Sequence, residues 1–140
     1  MSLDIGIREP HSYSFIQGEP RLALEDDGYY WFLYPLFEKL AKTTGELIDL
    51  YGRAVFQAGS LEALQQTLST AKALIEAQPT TWQVQVALLG PASSIRCRIP
   101  GRSGLHQQVE RGQFINLLAQ FQRILERARE LGLPVVCSGD

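Results

Sequence analysis

Residues that hold metal ions are scarce in this sequence. Its 140 residues include two cysteines and two histidines. Protein metal sites need His, Cys or carboxylate ligands clustered at defined spacings, and Cys97, Cys137, His11 and His106 share no such spacing. The sequence therefore predicts no metal site and no bound cofactor.

The same scarcity argues against an enzyme. A nucleophile and a base could be assembled from Ser103, His106 and Asp140, or from Cys97 and His106. None of these residues lies in a recognisable nucleophile turn. We therefore expect a protein without catalytic activity, in which these polar groups are solvated loop residues.

The sequence also lacks a surplus of positive charge and a long apolar run. Its formal net charge is −2 and its pI is about 5.7, whereas nucleic-acid-binding proteins usually carry a basic face. No apolar run approaches the roughly 20 residues that cross a bilayer, and residues 1–8 do not resemble a secretory signal. We therefore expect no nucleic-acid or membrane partner, a cytoplasmic location, and two free thiols.

What the sequence does contain is the composition and patterning of one α+β domain spanning residues 1–140. Hydrophobic residues make up 45% and charged residues 20%, which is ordinary for a folded domain. Apolar alternation and turn residues predict strands at 3–7, 13–16, 21–24, 46–51, 54–57, 81–89, 95–99 and 133–137. We expect a mixed, mostly antiparallel sheet with three helices packed on it, with 82–88 and 135–137 as inner strands.

Two later helices have clear apolar stripes. Ser60 is a good N-cap for the second helix, whose core face would carry Leu61, Leu64, Leu68, Ala71 and Ile75. The third helix runs from about Phe114 to Ala128 and should end at Gly132. Between them, residues 90–112 are rich in Gly-Pro turn signals, and we expect a flexible loop region there.

The most unusual stretch is aromatic: six of the thirteen Phe, Tyr and Trp residues fall within 29–37. In one interpretation Asp27 caps a long helix that continues through Pro35 to about Gly45. In the other, Asp27-Gly28 is a hairpin turn, residues 29–33 form a strand, and Pro35 begins a shorter helix. We favour the long helix because the helical periodicity continues through Pro35.

On that helix, Trp31, Tyr34, Glu38 and Lys42 lie on the side opposite Leu33. Burial of the core side does not account for them. Trp and Tyr are enriched at interface hot spots, so these four residues are a candidate partner-binding face. The alternative is that the 90–112 loop or the N-terminal strands cover Trp31 and Tyr34.

The only basic concentration in the sequence is made by Arg96, Arg98, Arg102 and Arg111. It includes the Gly-rich run 100–104, which lacks the Gly-Lys-Ser/Thr ending of a phosphate loop. A solvated loop is one interpretation. A contact for an anion or an acidic partner is the other.

In layout, the runs DDGYYWFL (26–33), ELIDLYG (46–52), WQVQV (82–86) and GLPVVCSGD (132–140) resemble small bacterial proteins of the immunity type. The resemblance covers most of the chain after residue 26, and no functional residue can be carried across from it. It implies a non-enzymatic inhibitor that blocks one toxin by surface binding. The residues leave two alternatives open: a small-molecule or anion-binding domain or enzyme with a pocket near the 90–112 loop, and a homo-oligomer.

Overall fold

The computed structural model describes residues 2–86 and 106–139, and it confirms the α+β class. The described elements follow in the order β1 Ser2–Ile7, β2 Leu22–Glu25, α1 Gly28–Thr44, β3 Arg53–Phe56, α2 Ala58–Glu76, β4 Thr81–Gln85, β5 His106–Glu110, α3 Arg111–Leu131 and β6 Val135–Gly139.

Within residues 2–86 and 106–139 the main sheet has four strands in the order β2-β1-β6-β3, and all of its ladders are antiparallel. The apolar strand β6 lies between β1 and β3, which confirms that it is an inner strand. Successive side chains of a strand alternate between faces, and the buried side chains Leu3, Ile5 and Ile7 belong to the same core cluster as the helix residues. The three helices therefore cover one face of this sheet.

The long first helix is confirmed, and the hairpin interpretation is wrong. The Asp27 carboxylate caps α1, accepting from the N–H groups of Tyr29 at 3.0 Å and Tyr30 at 3.3 Å. Gly45 ends the helix with φ 80°, a left-handed conformation that suits glycine. Pro35 lies inside α1.

We expect Asp27→Asn to make the protein more stable at neutral pH. Partial burial raises the pKa of Asp27, and Glu25 and Asp26 oppose its charge further, despite the capping bonds. A folded-state pKa above the unfolded value means that stability falls as pH rises through that window, and asparagine caps equally well without charge. Urea unfolding of both proteins should show a higher free energy of unfolding for the variant at pH 7. This difference should disappear at pH values below the usual pKa of Asp, where Asp27 is protonated in the folded and unfolded states. Equal stabilities at every pH would contradict this.

The apolar stripes of the other two helices are confirmed. The five predicted residues of the α2 stripe are all buried. The α3 stripe is buried from Phe114 to Ala128, apart from the half-buried Leu117, and Gly132 caps the end of α3 with φ 67°. The Ser60 cap is wrong: α2 begins at Ala58, and the Ser60 hydroxyl donates to the carbonyl of Gln57 at 3.1 Å. Ser60 therefore lies inside the first turn of α2, where its hydroxyl donates a hydrogen bond, and does not cap the helix.

Two predicted strands are loops. Residues 46–51 join no ladder among the described strands, although Ile48 and Leu50 are fully buried. The alternation of apolar and polar residues in 46–51 reflects which side chains of this loop are buried. The loop is held by its Ile48 carbonyl, which accepts from the Tyr30 hydroxyl at 3.1 Å. Residues 13–16 also form no ladder, and they are tied to β1 by one bond from Ile16 N–H to the Ile7 carbonyl.

The expectation of a single sheet is also corrected. Among the described strands β4 has one neighbour and is not an inner strand: it pairs with β5 in a separate two-stranded antiparallel sheet. Of the predicted 90–112 loop, residues 106–110 form β5, and residues 111–112 begin α3. The predicted strand at 95–99 lies outside the described residues.

An aromatic cluster joins the second sheet to the helices. The Phe114 ring lies 5.0 Å from Tyr29, 5.4 Å from Phe32 and 6.1 Å from Trp82, as measured between ring centroids. Gly28 adds a backbone contact, because its N–H donates to Oε1 of Gln107 at 2.9 Å. The aromatic stretch of α1 therefore holds both sheets in one domain.

Candidate functional site

Trp31 and Tyr34 lie side by side on α1, and both are half-buried against the core. Their ring centroids are 5.2 Å apart, and the buried ring of Tyr30 supports Trp31 edge-on at 5.0 Å. The indole N–H of Trp31 donates to Oδ1 of Asp26 at 2.6 Å. This short, charge-assisted bond fixes the orientation of the indole.

The 46–51 loop extends this surface. The Tyr30 hydroxyl holds the loop against α1 through the Ile48 carbonyl, and the Tyr51 side chain is 43% exposed. Partial burial and the nearby carboxylates of Asp26 and Asp49 raise the pKa of Tyr51. Asp26 is therefore bonded to Trp31 and close enough to Tyr51 for its charge to act on the Tyr51 hydroxyl. We call Trp31, Tyr34, Tyr51, Asp26 and Asp49 the aromatic face.

The aromatic face combines large rings with negative charge. Aromatic rings offer stiff contact area at low entropic cost and attract cations over their faces. The Glu25 and Asp27 carboxylates flank Asp26, and their charges add to the local field. A surface of this kind suits a partner that presents lysine or arginine side chains.

Glu38 and Lys42 are exposed on the following turns of α1. They remain predicted partner contacts. Sequence reasoning missed Asp26, Asp49 and Tyr51 as members of the site. The signal that could have indicated Asp26 was the acidic run 25–27 before the aromatic helix. Helix capping explains only Asp27 in that run and leaves the other two acids without a role.

We expect Tyr30→Phe to lower the free energy of unfolding by about 1–2 kcal/mol, because it leaves the buried Ile48 carbonyl without this donor. It should also speed hydrogen exchange in the 46–51 loop. Tyr13→Phe is the matched control, since Tyr13 is 88% exposed and its loss of a hydroxyl should be neutral. Equal stabilities of the two variants would show that the bond does not hold the loop.

The predicted arginine site can be placed only in part. Arg96, Arg98 and Arg102 lie outside the described residues. Arg111 is half-buried at the start of α3, where its guanidinium donates to the Gln78 carbonyl at 2.8 Å. This bond gives Arg111 a structural role in the turn that follows α2.

The candidate chemical residues can be placed only in part. His106 is exposed on β5, and Ser103, Cys97 and Asp140 lie outside the described residues. Cys137 is a free, fully buried thiol on β6, and burial raises its pKa. Within residues 2–86 and 106–139 no three His, Cys, Asp or Glu side chains are grouped as metal ligands. No described helix combines the length and apolar character needed to cross a membrane.

Comparison with protein families, curated proteins and solved structures finds no match to this chain.

Proposed function

We propose that this protein is a protein-binding domain of the immunity type, which acts in the bacterial cytoplasm and neutralises a toxin by covering part of its surface. In this proposal it works by binding and has no catalytic activity. The aromatic face is the contact surface, and Glu38 and Lys42 lie at its edge.

One observation carries the proposal: the half-buried Trp31 ring is fixed in orientation by its bond to the Asp26 carboxylate. Trp31 is held by Asp26 and supported by Tyr30, so little side-chain freedom remains to be lost on binding. Trp and Tyr in such settings are the residues on which interface affinity most often depends.

The acidic setting indicates the chemistry of the partner. Tyr51 lies in the field of Asp26 and Asp49, and complementary charge speeds association and excludes acidic proteins. The partner should therefore present a basic surface. The assignment of that partner as a toxin rests on the layout that resembles immunity proteins.

The test is capture of a binding protein from extracts of the source organism. Three immobilised baits are compared: the wild-type protein, Trp31→Ala/Tyr34→Ala, and the control Tyr13→Ala, which removes an exposed ring elsewhere. A basic protein retained by the wild type and the control, lost from the double variant, and released by salt supports the proposal. Retention by all three baits, or by none, contradicts it.

A second copy of the chain is the competing occupant. Light scattering of the wild-type protein across a dilution series distinguishes the two cases. A mass that stays monomeric supports a separate partner, whereas a dimer that the double variant abolishes would assign the aromatic face to self-association.

A further inference from the structure

The face of the main sheet that points away from the helices is only partly covered. Gly6, Val136 and Val55 form a row across it through the paired strands β1, β6 and β3. Val136 is buried but lies outside the main core cluster. We call this the outer face.

The 8–21 segment folds back over one part of the outer face. The Phe15 ring lies against Gly6 so closely that a Cβ atom there would be 2.6 Å from the ring. Both Arg8 and Arg21 place their guanidinium groups over this ring, with Cζ 4.3 Å and 4.7 Å from its centroid. Phe15 thus brings two cations together on the outer face.

Beside Phe15 the outer face is open and forms a cavity of about 510 Å³. Arg8 and Arg53 line it together with His11, and its floor includes Val55 and Val136. Its volume lies within the range of small-molecule sites. One carboxylate, that of Glu9, also lines the wall.

Among residues 2–86 and 106–139, Arg8 forms no ion pair with a carboxylate that would explain its burial. It is 9% exposed, and its Nε atom has no hydrogen-bond partner within this part of the chain. The ion pairs within the described residues use Arg127 and Arg129, so none joins Arg8, Arg21 or Arg53 to a carboxylate. Burial and the charges of Arg53 and Arg21 lower the pKa of Arg8, while Asp4 offsets this in part.

The buried Nε atom of Arg8 is costly without a partner, and an anion would offset the repulsion among Arg8, Arg53 and Arg21. The guanidinium fork matches the two oxygens of a carboxylate or phosphate group. His11 at the cavity wall has φ 72° because it is the third residue of a turn that the Ser12 N–H closes onto the Glu9 carbonyl at 3.1 Å.

We propose that this arginine cavity binds a small molecule through a carboxylate or phosphate group held between Arg8 and Arg53. The site is separate from the aromatic face and does not depend on the proposed function. The apolar floor of Val55 and Val136 contacts the remainder of the ligand.

The test is calorimetric titration of the full chain with inorganic phosphate and with succinate at constant ionic strength. Saturable binding of either probe is expected, and the probe that binds identifies phosphate or carboxylate as the recognised group. Arg53→Gln should weaken that binding about tenfold or more. Arg53 is exposed, so this variant should keep its fold even if Arg8→Gln does not.

Arg123→Gln is the matched control, because Arg123 is an exposed arginine that lines a different groove, between α2 and α3. It should bind the probe as the wild type does. If both variants bound the probe equally more weakly than the wild type, the binding would reflect general charge attraction, and the proposal would be overturned. The absence of saturable binding for both probes would overturn it as well.

Discussion

Phe114→Ala should lower the free energy of unfolding by about 3–5 kcal/mol, the range for truncating a buried phenylalanine. Phe114 is fully buried, and its ring contacts residues from both α1 and β4. A two-stranded hairpin has little stability of its own in water. The loss of this ring should therefore loosen β4 and β5 before the main sheet unfolds.

Two measurements check this. Urea unfolding followed by circular dichroism gives the stability change, and hydrogen exchange reports whether residues 81–85 and 106–110 lose protection first. Leu131→Ala, at the exposed end of the same helix, is the control and should change stability by about 0.5 kcal/mol or less. A Phe114→Ala protein no less stable than this control would show that the aromatic cluster does not join the two sheets.

The helices could be predicted because their signals are local. Asp27 and Gly45 mark the ends of α1, and the stripe from Leu61 to Ile75 alone defines the buried side of α2. The stripe did not fix where α2 begins, since the start at Ala58 has no side-chain cap. A helix can begin without a cap when packing of its apolar face stabilises it.

The strands were less predictable because pairing depends on distant residues. Alternation in 46–51 and in 81–85 looks alike, yet the first is a buried loop and the second a strand of a separate sheet. Period-2 burial records which side chains face the core. It does not record whether a neighbouring strand is available to complete the ladder.

The two candidate sites also differ in how far the sequence could predict them, because one depends partly on a local pattern and the other on contacts between distant residues. The helical wheel was enough to single out Trp31 and Tyr34. Tyr51 was not predicted because it lies on a loop whose position depends on distant contacts, among them the bond from the Tyr30 hydroxyl to the Ile48 carbonyl. The arginine cavity was not predicted, because Arg8, Arg53 and Phe15 are brought together by strand register and by a fold-back over Gly6.

Trp31→Ala/Tyr34→Ala is expected to weaken binding of the captured partner by about 30-fold or more, which is the loss that defines a single hot-spot residue. Both rings are only half-buried, so the main core beneath them, with Leu33 and Phe37 fully buried, should remain intact. The double variant should therefore stay folded while its affinity falls. The loss should appear mainly as faster dissociation, since the removed contacts are short-range.

Titration with the purified partner, alongside circular dichroism and urea unfolding, separates binding from folding. Tyr13→Ala controls for the loss of an exposed ring and should bind as the wild type does. Asp26→Asn tests the electrostatic part, because it keeps an oxygen near the Trp31 indole but removes a charge; its affinity should fall less and depend less on salt. A folded double variant with wild-type affinity would show that the aromatic face is not the contact surface. A double variant that unfolds would instead assign both rings to the core.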